Sequence, residues 1–222
     1  MRKKRTKSKQ AFACLAVVCL IFPLLFTGCG GAKNNALPET EAGEASAAAS
    51  PFSAGEVGQY ARGVLEDGGS TYVNKWADIR ISIPGDFSTG TKEDYDSVEA
   101  EKDTECGLYL IDESGSRRFF IGFQKLPTTV REEDYLNKVS HDLQEAAVKS
   151  DKMAVVAPEV YHFINLGGNK YVKASFRLII NGKTIFQDYY ARFLDSYMIF
   201  AVSTGPAADQ TDAMANLIRA CG

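Results

Sequence analysis

Few residues in this sequence are of the types that carry acid–base, metal or redox chemistry. It holds two histidines, His141 and His162, and no Cys-x-x-Cys pair. No Gly-x-Ser-x-Gly, His-Glu-x-x-His, glycine-rich phosphate loop or EF-hand spacing occurs. Six carboxylates lie close together, namely Glu93, Asp94, Asp96, Glu99, Glu101 and Asp103. We therefore predict no cofactor and no metal, and we assign no catalytic residue.

Each of these groups has an interpretation other than catalysis. His141 falls on the polar side of a predicted helix, and we expect it to face solvent. His162 shares a strand face with Val160 and Ile164, and we expect it to be packed or hydrogen-bonded. The acidic cluster at 93–103 lacks an apolar wall that would raise a pKa, so we expect a solvated surface loop or short helix. Weak Ca²⁺ capture there is the alternative.

One cysteine has a chemistry that its neighbours define. Six Lys and Arg residues precede an almost wholly apolar run over 11–26, which ends in Phe26-Thr27-Gly28-Cys29. A basic start, an apolar segment shorter than a membrane span and small residues at its end are typical of a secretory signal peptide. The ending resembles the bacterial lipobox. The resemblance implies thioether attachment of diacylglycerol to Cys29 and cleavage after Gly28.

Cleavage there divides the chain into a signal peptide (1–28), a lipidated N terminus with a low-complexity linker (29–55) and a single domain (56–222). All leader charges are basic, so 19 basic and 28 acidic side chains remain, and the net charge changes from −3 to −9. We expect no nucleic-acid binding, because phosphate contacts need a basic surface. The expected location is the extracytoplasmic face of the cell membrane, held by the lipid on Cys29.

Two thiols remain in the domain, those of Cys106 and Cys221. Export permits a disulfide between them, but two cysteines do not make a disulfide framework. We favour free thiols, with Cys106 closing a polar loop and Cys221 continuing the apolar stripe of a terminal helix.

Turn residues and alternation predict an antiparallel sheet. Hairpin turns are indicated at 67–69, 113–116, 167–169 and 181–182, and the strand at 79–83 ends before Pro84. The strand at 171–180 places Val172 and every second residue toward the core, with Lys173 on the side facing water. A capping box at Thr129–Glu132 predicts a helix over the apolar stripe at 135–147, and a short helix follows Gly205-Pro206. The fold class is therefore α+β.

The segment Tyr72-Val73-Asn74, followed by the alternating strand at 79–83 and by Pro84 and Phe87, resembles the opening of the PsbP-like fold family. The later order is also similar, with a hairpin, a helix, a Gly-Gly hairpin, long strands and a terminal helix over 60–222. The resemblance implies an α/β/α sandwich around an antiparallel sheet. It implies no chemistry, since the family includes photosynthetic accessory subunits and many uncharacterised bacterial lipoproteins.

Four aromatic residues concentrate near the end of this sheet, namely Tyr189, Tyr190, Phe193 and Tyr197. Alternation puts Tyr189 and Tyr190 on opposite faces. The four form either a second core layer beneath a helix or a recognition surface for a sugar, a peptide or a partner protein.

We predict a non-enzymatic binding module that meets an envelope protein or polymer. The alternatives are a lipid-anchored hydrolase that uses carboxylates with His162, and a small-solute binding protein. Convergence of His162, the acidic cluster and the tyrosines in one concave pocket would favour the hydrolase.

Replacement of Cys29 by serine tests the anchor. Because only a thiol accepts the diacylglyceryl group, the Cys29→Ser chain should carry no fatty acid and should leave the membrane fraction. Labelling of cells with a clickable fatty acid measures this directly. Equal labelling of the wild type and the variant would contradict lipidation at Cys29.

Overall fold

The structure is a computed structural model and describes residues 62–127, 129–156 and 161–221. The predicted signal peptide, Cys29 and the linker lie outside these residues.

Three short strands form a small antiparallel sheet: β1 (Val64–Glu66), β2 (Thr71–Asn74) and β3 (Ile79–Ser82), in the order β1-β2-β3. The β1–β2 connection is a short 3₁₀ turn over Asp67–Gly69. Gly68 and Gly69 have φ angles of 66° and 91° there, a region that glycine enters without steric cost. The predicted hairpin at 67–69 is therefore confirmed.

Eight further strands form one antiparallel sheet. They are β4 (Phe87–Thr89), β5 (Thr104–Asp112), β6 (Arg118–Lys125), β7 (Met153–Val156), β8 (His162–Leu166), β9 (Asn169–Ile180), β10 (Lys183–Leu194) and β11 (Tyr197–Gly205). The order is β4-β5-β6-β11-β10-β9, and β7 and β8 both pair with the outer side of β9. β8 pairs with the first half of β9, and β7 pairs with its second half.

In the described ranges the sheets are accompanied by the helices α1 (Lys92–Glu99), α2 (Glu132–Val148) and α3 (Ala208–Ala215). The acidic cluster contains α1, which begins at a capping box of Thr91 and Asp94. The capping box predicted for α2 is wrong, because Arg131 precedes that helix without a side-chain cap. Over the described ranges, no helix is both long and apolar enough to cross a bilayer.

Both faces of the eight-stranded sheet are covered. On one face α1 and α2 bury a core that includes Tyr109, Phe176 and Phe200. On the other face the small sheet and α3 bury a second core that includes Tyr72, Phe123 and Tyr190. Antiparallel strands between two covering layers confirm the α+β class.

The chain ends beside the small sheet. Arg80 and Arg219 exchange two backbone hydrogen bonds of 2.8 and 2.9 Å. The Cys221 amide donates to Asp78 at 2.8 Å, and this bond lowers the pKa of the Asp78 carboxyl. The prediction that Cys221 continues the apolar stripe of α3 is therefore wrong, because the helix ends at Ala215 and the extended tail pairs with β3.

Both thiols of the domain are free, as predicted. Cys106, however, does not close a polar loop. It lies fully buried within β5 on the face that α1 and α2 cover, and burial raises the pKa of its thiol. Its role is therefore that of a small apolar core residue.

The Phe200 ring packs across Gly122, its partner on the neighbouring strand β6. A Cβ built on Gly122 would lie 2.2 Å from Phe200 Cζ, far inside van der Waals contact. The same ring meets Phe120 edge-on, with centroids 6.2 Å apart. Gly122 thus leaves the space in which Phe120 and Phe200 pack on the face that α1 and α2 cover.

Gly122→Ala should therefore destabilise the fold by about 1–3 kcal/mol, because the ring must move or leave its rotamer. Gly85→Ala is the control, since a Cβ there meets no atom within 4 Å, and we expect a change within about 0.5 kcal/mol. Urea unfolding of both variants measures the difference. An unchanged midpoint for Gly122→Ala would contradict the packing of Phe200 described above.

Candidate functional site

Strands β9 and β10 separate at one end of the sheet, and this opens a groove. Their pairing runs from Ile180 and Lys183 to Val172 and Ala191, and no pair follows. The Phe193 amide beyond this point donates to the carboxylate of Glu132 at 3.0 Å instead. This bond ties the first residue of α2 to the strand end and explains why Glu132 does not cap its own helix.

We call this opening the edge groove. Its volume is about 560 Å³. Three cations (Arg131, Lys170 and Arg192), three aromatic residues (Phe163, Tyr171 and Phe193), two carboxylates (Glu132 and Glu133) and Val172 line it. Cations beside aromatic rings in an open groove suit an anionic ligand that also has a flat or apolar part.

The charged side chains that line the edge groove differ in whether they already have a partner. Lys170 Nζ lies 3.6 Å from the centroid of the Phe163 ring, which is 60% exposed. Arg192 lies on the opposite face of the sheet, where its guanidinium is 5.7 Å from the centroid of the Tyr171 ring and its Nη1 is buried. Glu132 already accepts from Phe193, and Arg131 pairs with Asp134 at 3.4 Å, so Lys170 is the cation best placed for a ligand.

A smaller cleft lies between α1, α2 and the sheet, and its volume is about 60 Å³. That is room for about two water molecules. Its walls include Tyr135, Tyr189 and Phe200, and Lys138 and Asp142 also line it. The cleft is therefore too small for a ligand of more than a few atoms.

A buried charge cluster joins the sheet to α3. Lys173 Nζ lies 3.0 Å from Asp188 and 2.5 Å from Asp212, and the side chains of Lys173 and Asp188 are 8% and 6% exposed. Thr211 donates to Asp188 at 2.6 Å. Tyr190 lies within 3.4 Å of both carboxylates, and burial raises the pKa of its hydroxyl.

Lys173 was predicted to face water, and that prediction is wrong because α3 covers this face of β9. Burial by itself would lower the pKa of Lys173, but the hydrogen bond to Asp212 and the charge of Asp188 outweigh it and raise the pKa. The ammonium group therefore stays charged and holds α3 to the sheet. Its charge is compensated within the fold, so we assign it a structural role.

The structure separates the four aromatic residues of the predicted binding surface. Tyr189 and Tyr190 lie on opposite faces, as predicted, and are 3% and 0% exposed. Each is a core residue, and Tyr189 packs edge-on against Phe176 with centroids 5.5 Å apart. Only Phe193 lines the edge groove.

Tyr197 lies at the β10–β11 turn and meets the Trp76 ring edge-on, with centroids 5.4 Å apart. Trp76 Nε1 donates to Asp195 at 3.0 Å, which fixes the indole against this turn. The β2–β3 loop and the β10–β11 turn are thus joined by contacts between residues far apart in sequence.

The residues predicted for hydrolysis do not converge. His141 is exposed on α2, as predicted, and His162 is exposed rather than packed because β8 is an edge strand. The acidic cluster lies on and after α1, which packs on β5. β5 and β8 are five strand spacings apart in the sheet, about 24 Å. Across the described parts of the chain, no group of three or more His, Cys, Asp or Glu side chains could hold a metal ion.

Part of the acidic cluster has a structural role. Glu99 and Glu105 both pair with Arg62 at 3.2 Å. Glu99 also accepts the backbone N–H of Cys106 at 3.2 Å, so the end of α1 is fixed to the start of β5. Burial raises the pKa of the Glu105 carboxyl.

The signals for the edge groove in the sequence were weak. Phe163, Lys170 and Arg192 belong to three different strands, and each also fits an ordinary alternating strand. The exposure of Phe163, opposite Val172 in the register, follows from the edge position of β8, which the sequence does not show.

No protein-family model matches the chain, and no curated protein sequence matches it. The chain is similar to the solution structure of cyanobacterial PsbP (CyanoP) from Synechocystis sp. PCC 6803, with 11% identity and a TM-score of 0.49 over 77% of this chain and 98% of that one. It is also similar to a crystal structure from Bacteroides thetaiotaomicron VPI-5482, with 11% identity and a TM-score of 0.38 over 69% and 48%. Similarities this distant carry no inference about ligand, partner or activity.

Replacement of Lys173 by methionine tests the buried charge cluster. Removal of the ammonium leaves Asp188 buried without its counter-charge, so we expect a loss of about 3–5 kcal/mol in the free energy of unfolding. Lys183→Met, at an exposed position in the β9–β10 hairpin, is the control and should change it by about 0.5 kcal/mol or less.

The pH dependence of that loss follows from the raised pKa of Lys173. A raised lysine pKa stabilises the fold fully below the unfolded value of about 10.4, and this contribution is lost as the pH rises through the folded value. The difference between wild type and Lys173→Met should therefore be constant from about pH 8 to pH 10 and shrink above that. Urea unfolding at several pH values measures it, and a difference that grows with alkaline pH would contradict the assignment.

Proposed function

We propose that this protein is a lipoprotein on the extracytoplasmic face of the cell membrane, and that its domain is a non-enzymatic binding module. The edge groove is its binding surface. The observation that carries this proposal is the contact of Lys170 with the exposed Phe163 ring in an open groove.

The membrane attachment rests on the sequence, through the resemblance of Phe26-Thr27-Gly28-Cys29 to a lipobox. A diacylglyceryl anchor with two acyl chains gives stable attachment, whereas one chain gives marginal binding. Attachment at Cys29 followed by the linker at 29–55 keeps the domain near the envelope, which raises its effective concentration toward a partner there.

The geometry favours binding over hydrolysis. His162 and the acidic cluster of α1 lie toward opposite edges of the sheet, and the tyrosines are in the two cores. Acid–base catalysis needs such groups within hydrogen-bond reach of one substrate. A small-solute binding protein is also disfavoured, because the edge groove is open at the surface and the described residues form no second lobe around it.

Capture of partners in cells tests the proposal. Cells that express the full chain with a C-terminal tag are cross-linked with formaldehyde, and the captured envelope components are compared between wild type and Phe163→Ala. We expect Phe163→Ala to lower recovery of a specific component about five-fold, because truncation of an exposed aromatic anchor typically costs 1 kcal/mol or more. Val148→Ala is the matched control, since Val148 is an exposed apolar residue at the far end of α2 and should change nothing.

A panel of cell-envelope hydrolase substrates is assayed beside the capture. Turnover that is abolished by His162→Ala, together with no component whose recovery depends on Phe163, would overturn the binding-module proposal in favour of the hydrolase.

A further inference from the structure

The outer side of β8 carries unpaired backbone groups. Leu166 and Asn169 close the two-residue Gly167-Gly168 turn as a hydrogen-bonded pair. From that point, hydrogen-bonded and non-hydrogen-bonded pairs of β8 and β9 alternate. Phe163 and Asn165 occupy the non-hydrogen-bonded positions, so their N–H and C=O groups point away from β9. Within 62–127, 129–156 and 161–221, neither residue has another backbone partner. β8 is therefore an open edge that can accept one further strand.

This open edge lies directly beside the edge groove. Phe163 belongs to both, since its backbone is on the outer side of β8 and its ring lines the groove. Side chains of an added strand would alternate between the two faces of the sheet. Those opposite Phe163 would project on the face that carries Phe163 and Lys170.

The charge of the groove selects the side chains of such a strand. Lys170 forms no ion pair with any described residue, while Arg131 pairs with Asp134 and Glu132 accepts from Phe193. Arg192 lies on the opposite face of the sheet, where it packs on the Tyr171 ring. Lys170 is thus open to a ligand, and it lies on a protein whose overall charge is negative. Acidic side chains complement it, and basic side chains would meet like charge at the same place.

We propose that the edge groove binds an extended acidic peptide segment of a partner protein, which adds to β8 as an antiparallel or parallel strand and directs carboxylates to Lys170. Backbone hydrogen bonds to Phe163 and Asn165 supply affinity, and the carboxylates supply selectivity. This inference rests on the proposed function, because it names the ligand class of that same groove.

Binding of defined peptides tests it. The full chain in detergent micelles is titrated against three fluorescein-labelled nine-residue peptides, with fluorescence anisotropy as the readout. One peptide alternates valine with glutamate, one alternates valine with lysine, and one is the glutamate peptide N-methylated at every interior residue. The glutamate peptide should bind about ten-fold more tightly than either of the others, because only it offers both carboxylates and backbone donors.

Two variants locate the site. Lys170→Gln should weaken the glutamate peptide about five-fold, and Asn165→Pro should abolish binding because it removes an outward donor while sparing the β8–β9 ladder. Lys183→Gln, which removes an exposed charge at the far end of β10, is the control. Circular dichroism shows which variants fold.

Equal affinity for the glutamate and lysine peptides would overturn the inference, as would tight binding of the N-methylated peptide or indifference to Lys170→Gln and Asn165→Pro. If the captured envelope component still depends on Phe163 in that case, the proposed function stands and the ligand is not a peptide strand. If the capture also fails, both proposals fall.

Discussion

Apolar side chains on both faces of the eight-stranded sheet impose the constraint on which the rest of the structure depends. β9 buries Phe176 on one face and Tyr171 on the other, so neither face can be left to water. Antiparallel sheets commonly leave one face solvated, and this one does not. Helices α1 and α2 cover one face, while the small sheet and α3 cover the other. The positions of α1, α2, α3 and the three strands of the small sheet follow from this requirement.

Covering the second face also buries polar groups, and the fold compensates them locally. Lys173 lies beneath α3, where its ammonium group meets Asp188 and Asp212. A buried ion pair contributes little net stability relative to apolar packing, but loss of one partner is costly. The cluster therefore fixes where α3 sits more than it strengthens the fold. The tail bonds between Arg80 and Arg219 hold the next segment of the chain against β3 in the same way.

The two covering layers stop before the outer edge of the sheet, and the edge groove arises there. β10 continues past its last pair with β9, and Glu132 takes the amide that this separation leaves without a partner. Lys170 and Phe163 then line a gap that none of the described elements fills. The edge groove is thus a consequence of the divergence of β9 and β10.

Local features of this protein followed from the sequence alone, among them the Asn181-Gly182 turn, with φ angles of 50° and 76°, and the apolar stripe of α2. These depend on residues a few positions apart, so turn geometry and periodicity specify them. Tertiary structure decided the burial of Lys173, the strand contact of Glu132 and the position of Cys221, because each depends on a partner distant in sequence. The edge groove belongs to this second group, since the place where two strands stop pairing is set by packing across the whole sheet and not by local pattern.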